Sequence, residues 1–453
     1  MQRGWKIAWR NLRRNRRRNL ATVAAIAIGY AGLVVLGGYA NRLEHLLRTS
    51  AVYLQHSGHV SVWAEGGFDK ASAEPEAFQL DSKAQSKILA WATQDPRVEF
   101  ATPYLVGVGL AGNSCASHPT RLLGVEPAAL TRIVQHPQVR AWSSELAQPA
   151  RGHWIDSYPA LPHASALSAG LATLLQKPRV HDETVGLKPA PDILHCDTPL
   201  RVDELGRDAD IQLAGFTYDG TFNAVDTEMV ATFHATEQLA EDGSMLTSLA
   251  TLRELYATDR ATYIGLFLHR SSDASAVATE LTRVLGQAGL RVEALPYDDE
   301  RSNPYYVGVM AFFASLVGFI TALVWLVLVL TVLGAMTLTI IERTREIGTW
   351  RALGFTRGHM VSLVVREALL LSLLGLAAGL LCGLVTAVFI NASGVRFSPP
   401  GVSGSIPLLI HPSWSACATD AALIVPGVCL AAWLVGRAQL KRSLVDLLTS
   451  ASG

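Results

Sequence analysis

The chain has 453 residues, half of them hydrophobic, and its 38 basic and 38 acidic side chains give a net charge of zero. A mean hydropathy of +0.26 with only 17% charged residues excludes a disordered chain and an ordinary soluble enzyme, and the charge balance gives no reason to expect nucleic acid as a ligand. Five Cys, none in a C-x-x-C pair, exclude a disulfide scaffold and a cysteine zinc site.

Residues 1–19 carry eight basic and no acidic side chains. Trp5, Ala8, Trp9 and Leu12 follow i, i+3, i+4, i+7, with Lys6, Arg10, Arg13 and Arg17 largely opposite. This predicts an amphipathic helix on the inner leaflet, Trp5 and Trp9 in the membrane surface and Arg10 and Arg13 toward lipid phosphates. Residues 20–40 hold no charge. Their length matches the ~20 residues needed to cross a ~30 Å hydrocarbon core and exceeds the ~7–15 apolar residues of a signal peptide. They are the first expected span.

Residues 41–304 alternate strand-like and helix-like segments and hold most of the His and Pro. Strands are expected at Val60–Trp63 and Arg291–Leu295, and helices at Ala84–Thr93 and Ser272–Ala288. A hairpin is expected around Asp219-Gly220, between Ile211–Tyr218 and Thr221–Val225. The reading is an α+β domain. His56 and His59, and His195 beside Cys196, lack further ligands at diagnostic spacing, so no metal site is predicted. Cys115 and Cys196 are the two Cys of this region, and spacing alone leaves their pairing open. There is no G-x-S-x-G motif and no Gly-Lys dipeptide, so no nucleophile elbow and no P-loop. No catalytic residue and no bound cofactor is assigned to this chain.

From Ser302 to Ile341 no residue is charged. A helix over 305–341 would measure about 55 Å at ~1.5 Å per residue, nearly twice the hydrocarbon core, and would project beyond one membrane face. Residues 342–367 form a charged segment with five Arg, and further spans are expected at 368–395 and 416–436, joined by a loop over 396–415. Gly375, Gly379 and Gly383 recur every four residues, which predicts a helix face that a second helix approaches closely. Pro426 interrupts the last span, and Trp414 and Trp433 suit interfacial anchors. The basic residues of 1–19, 342–367 and the tail 437–453 place all three in the cytoplasm and the α+β domain outside. The charge is therefore partitioned: 21 basic against 33 acidic residues in 41–305, and an excess of basic residues on either side.

The most specific stretch is Glu342-Arg343-Thr344-Arg345-Glu346-Ile347-Gly348-Thr349-Trp350-Arg351-Ala352-Leu353-Gly354-Phe355. Ile347, Trp350 and Leu353 are apolar at helical spacing, and Gly354 can end the segment in a left-handed backbone. A docking surface for a cytoplasmic partner would account for both features. This stretch, the opening WKIAWRNLRRNRRRNLATVAAIAIG and the layout of one span, a large domain and three spans closely resemble the FtsX/MacB-type permeases of ABC systems. GHVSVW at 58–63, LLGVEP at 122–127 and TYDGTFNAVD at 217–226 are similar to the lipoprotein-release (LolC/LolE-like) branch.

The resemblance implies a four-helix membrane protein with a MacB-type periplasmic core domain, multi-pass in the bacterial inner membrane. It implies that Glu342 to Phe355 is a coupling helix docked on a separate ABC ATPase in two copies, with ATP and Mg bound there. Glu342, Arg343, Arg345, Glu346 and Arg351 are the implied polar contacts, with Ile347, Trp350, Leu353 and Gly354 shaping the surface. It further implies a second, identical or different, permease chain and mechanical transmission through the long helix to a lipoprotein, lipid or other amphiphilic cargo. Membrane lipids and a periplasmic carrier or adaptor are the remaining expected partners. Segments 149–165 and 188–199 are candidates for an extension that receives a carrier. Drug or peptide efflux through an adaptor, and non-transporting regulation of cell-wall hydrolases, are the alternative functions.

Overall fold

The computed structural model describes residues 10, 16–188, 196–197, 201–235, 240–397 and 405–439. The chain divides into two compact units: Met1–Glu44, Val309–Val395 and Pro407–Gly453 form a membrane unit, and His45–Gly308 with Arg396–Ile406 form an α+β domain.

The domain is built on a ten-stranded sheet among the described residues. Its strands are β1 (Val60–Ala64), β2 (Val98–Gly112), β3 (Ser117–Val125), β4 (Arg151–Gly152), β5 (Ala164–Ser168), β6 (Asp210–Phe216), β7 (Phe222–Phe233), β8 (Ser244–Ser248), β9 (Tyr263–Leu268) and β10 (Val292–Pro296). The fifteen-residue β2 serves two layers. Its first half pairs antiparallel with β9, which continues through β1 to β10. Its second half pairs with β3 and β6. From there β3 pairs with β8, β8 with β5, β5 with β7, and β7 with β6, so six strands close on themselves. Closure removes the open edges that would otherwise template pairing with another chain. The ring is filled by Leu105, Leu122, Leu167, Ile211, Leu213 and Met245, all essentially inaccessible.

Three of the domain's helices each present one apolar stripe to the sheet. Helix α1 (Arg16–Thr49) belongs to the membrane unit over most of its length. In α2 (Ser82–Gln94) the buried Ala84, Ile88 and Ala92 are spaced by four, and the Asp81 carboxylate caps the helix by accepting from the Ala84 N–H at 2.7 Å. Helix α3 (Leu249–Tyr256) buries Leu249, Leu252, Leu255 and Tyr256, and the Ser248 hydroxyl accepts from Thr251 N–H. Helix α4 (Ala274–Gln287) buries Ala274, Val277, Ala278, Leu281 and Leu285. Gly107 in β2 is required by Tyr256: a Cβ there would lie 2.2 Å from the phenol oxygen, which donates to Val108 C=O at 3.0 Å.

The hairpin joins β6 to β7 through residues 217–221, with Gly220 at φ +84°. Its second strand continues to Phe233, well past the expected Val225, because the chain from Glu228 to Phe233 pairs in parallel with β5 and buries Met229, Val230 and Ala231. Segment 149–165 is anchored to the domain through β4, the buried Ile155 and the start of β5, while 156–163 lie at its surface. Most of 188–199 lies outside the described residues, but Cys196 is described and is disulfide-bonded to Cys115, with Cα atoms 5.4 Å apart.

The membrane unit holds α1, α5 (Pro304–Glu342), α6 (Thr344–Ala352), α7 (Arg357–Ala392) and α8 (Trp414–Gln439). Of these α1, α5, α7 and α8 are long and apolar enough to cross a membrane. The helices overrun the charge-free stretches. Helix α1 continues to Thr49 through Arg42, Glu44, His45 and Arg48. Helix α7 begins at Arg357, eleven residues before the expected Ala368, and takes in the second half of the charged segment 342–367. Charge marks the edge of hydrocarbon; the backbone hydrogen-bond ladder has no reason to stop there.

Helix packing in this unit is one-sided. Leu328, Val332, Met336 and Ile340 form a buried stripe at four-residue spacing along α5, while Phe312, Phe319, Leu326 and Leu330 on other faces stay exposed. Gly375, Gly379 and Gly383 of α7 lie against α1. A Cβ added at these positions would meet Ile26 Cγ2 at 2.6 Å, Ala27 C=O at 2.6 Å and Val34 Cβ at 2.8 Å. Gly427 similarly leaves room for the Trp325 indole, whose N–H donates to Leu423 C=O at 3.1 Å. Tyr30 donates to Cys417 C=O at 2.8 Å, and Asn391 exchanges two hydrogen bonds with the Ile410 backbone.

Candidate coupling site

The turn between α5 and α7 is assembled from three short pieces. Glu342 ends α5 and is exposed. Arg343 is the single residue between α5 and α6. Its guanidinium lies 3.3 Å from Glu346 in the first turn of α6 and 3.4 Å from Glu367 in α7. Glu367 is buried, with 6% of its surface exposed, whereas Arg343 and Glu346 are partly covered.

Helix α6 turns its apolar face inward. Ile347 is buried in the core of the membrane unit and Trp350 packs against that core. With Thr339 and Ile340 of α5 and Met360, Leu363 and Val364 of α7 they surround the Arg343–Glu367 pair. Of the three apolar residues expected at a docking face, Ile347 is buried and Trp350 partly buried within this chain, and Leu353 is exposed. Helical spacing shows that a face needs a cover, and here the ends of α5 and α7 cover two of its three residues.

Past Ala352 the chain turns outward. Gly354 adopts φ +93°, a left-handed backbone that ends α6. Phe355 N–H donates to Trp350 C=O at 3.1 Å, and the Thr356 hydroxyl caps α7 by accepting from His359 N–H at 3.3 Å. The turn is held by these bonds, yet residues 352–359 are all exposed. Leu353 is 73% exposed and Phe355 is 45% exposed, with its ring 5.4 Å from the His359 ring. Two large apolar side chains on a capped turn between two membrane-crossing helices form the unpartnered surface of this region.

The side chains of Arg345 and Arg351 lie outside the described residues, as do Trp5, Trp9 and Arg13; Arg10 is described and exposed. Phe355 and Glu367 were not singled out from the sequence. Phe355 directly follows Gly354, which was a sufficient signal for an outward turn. Glu367 read only as the charge bounding an apolar run.

Within the domain, His56 and His59 are buried and spend their surroundings on packing. His59 Nδ1 accepts from Leu268 N–H at 2.9 Å and its Nε2 meets the Ser271 hydroxyl at 3.1 Å. Burial pushes the His56 imidazole down to about 4; burial, then the charges of His136 and Arg48, push His59 down to about 3. Among the described residues no three His, Cys, Asp or Glu side chains converge in a group able to hold a metal ion.

Residues 318–443 match the family described as FtsX-like permease C-terminal, a range that takes in most of α5 and the whole of α6, α7 and α8. No curated protein matches the chain. Among solved structures the chain is similar to the extracellular domain of the noncanonic ABC-type transporter YknZ from Gram-positive bacteria, at 10% identity and a TM-score of 0.30, covering 48% of this chain and 96% of that one. It is also similar to the periplasmic region of MacB from Actinobacillus actinomycetemcomitans, at 10% identity and a TM-score of 0.33, covering 53% of this chain and 88% of that one.

Proposed function

From the match of residues 318–443 to the FtsX-like permease C-terminal family, we propose that this chain is an FtsX/MacB-type ABC transporter permease and that it docks a separate cytoplasmic ATPase through the turn Leu353–His359. The chain is a multi-pass protein of the bacterial inner membrane with its α+β domain in the periplasm. The observation that carries the docking reading is the contrast at the turn. Ile347 and Trp350 are packed inside, while Leu353 and Phe355 stand in solvent on a capped, ordered backbone. Exposed apolar side chains flanked by basic and polar residues suit a cleft on a partner, and their burial contributes about 25 cal/mol per Å².

The ATPase binds ATP and Mg and occurs in two copies, one for each of two permease chains. The second chain covers exposed apolar faces of the membrane unit. Closure of the ATPases moves α5, an uninterrupted helix of 39 residues, and through it the periplasmic domain. The work done is extraction or export of a lipoprotein, lipid or other amphiphile at the periplasmic side. The size of the domain, which spans more than half of the chain, favours handling of cargo there over a purely regulatory role.

The test is co-purification from native membranes. Leu353→Asp and Phe355→Asp should each lose the ATPase while the chain itself is recovered monodisperse. Retention of the ATPase by both variants would defeat the docking assignment.

A further inference from the structure

We propose that the Arg343–Glu367 pair is the positioning contact that makes the docking turn move as one piece with α5 and α7. The proposal rests on the docking reading above and adds the residues that transmit through it. Glu367 is the last charged residue of α7 before a run of 25 uncharged positions to Ala392. It is almost wholly buried. A carboxylate in such surroundings is costly unless it is paired, and Arg343 lies within ion-pair distance of it.

Arg343 is placed to act as a joint. It is the one residue between α5 and α6, so any change of angle between those helices passes through its backbone. Its guanidinium reaches α6 through Glu346 and α7 through Glu367, which ties three helices at one point. Ile340, Ile347, Trp350 and Val364 surround the pair with apolar atoms, where charges attract more strongly than in water. Stability alone does not call for such a pair. Apolar residues would fill the same space at least as well, and the best-attested use of a buried ion pair is to fix register or a switch. A docking turn that must deliver force to two membrane helices needs that fixed register.

The experiment uses the full-length chain purified from native membranes with whatever ATPase accompanies it. Glu367→Gln should retain the ATPase, because Leu353 and Phe355 are untouched, yet lower the ATP hydrolysis of the reconstituted complex about tenfold. Exchanging the charges, Arg343→Glu with Glu367→Arg, and adding Glu346→Gln so that the new carboxylate is not repelled by Glu346, should recover most of that loss. A partner-independent arm digests the detergent-solubilised chain with trypsin. Cleavage after Arg345, Arg351 or Arg357, sites common to all these variants, should be about tenfold faster in Glu367→Gln, reporting local opening, and should return toward the original rate in the exchanged pair.

Hydrolysis within twofold of the original in Glu367→Gln would overturn the proposal, as would an exchanged pair no better than the single variant or an unchanged tryptic rate. If no ATPase accompanies the unaltered chain, the docking reading fails, and the tryptic arm still decides whether the pair holds α6 in place.

Discussion

The α+β domain and the membrane unit use the same apolar residue types to opposite ends. In the domain, Leu105, Leu122, Leu167 and Leu213 are enclosed from all sides by a closed strand ring, and water is excluded from them. In the membrane unit, one stripe of α5 is buried and the rest of its apolar surface is left outward. Lipid tails are as apolar as Leu, so burial supplies no drive for helices to associate there, and contact depends on close fit and on hydrogen bonds. The glycines of α7 and the Trp325 and Tyr30 bonds supply that fit. One half of the chain is held together by what it hides, the other by how closely its backbones approach.

The contrast can be broken at several points. Phe267 is fully buried and stacked on Phe100 at 4.3 Å. Phe267→Ala should cost the domain about 3–5 kcal/mol through lost burial and an unfilled cavity, read as a lowered midpoint of thermal unfolding. The buried histidines come next. The unfolded chain accepts a proton near pH 6.5 that the folded His56 refuses until about pH 4, so stability is retained above 6.5 and lost as pH falls through that window. The expected loss is on the order of 3 kcal/mol, and His56→Asn should flatten the pH dependence of the unfolding midpoint.

In the membrane unit, Gly379→Leu should cost about 1–3 kcal/mol by driving a side chain into the α1 backbone at Ala27. Gly32→Leu, where nothing lies within 4 Å, should stay within about 0.5 kcal/mol of the original. Equal thermal stability of these two variants in detergent would remove the close-approach argument. A modest effect is expected at the α2 cap. Asp81→Ala should cost about 1 kcal/mol, detectable as faster amide exchange at the start of that helix.

Much of the membrane unit was legible in the sequence because hydrocarbon imposes a length and forbids charge. The apolar runs marked four helices, and the four-residue spacing of Gly375, Gly379 and Gly383 marked a contact face. That α1 would fill it, through Ile26, Ala27 and Val34, was not visible from spacing. The coupling region was legible only in part. Gly354 announced the turn, but periodicity could not tell whether Ile347 and Trp350 would be covered by this chain or by another. Glu367 escaped notice because a charge at the edge of an apolar run looks like a boundary, and only its distance from Arg343 makes it a partner. In the domain the local strands and helices could be read from alternation and caps. The ring could not, since it depends on pairings such as Leu110 with Ala214, 104 positions apart.

The pairing of β2 with strands on both sides also sets a timetable. Val98 at the start of β2 pairs with Leu268, 268 − 98 = 170 residues later in the chain. At a synthesis rate of ~5–20 residues per second, that strand waits roughly 10–30 s for its neighbour to be made. During that interval a fifteen-residue strand has β3 along one part of its length and open hydrogen-bonding groups along the rest. The domain whose finished form has so few edges is thus at its most adhesive while being born, and its yield in the cell depends on what shields β2 during those seconds.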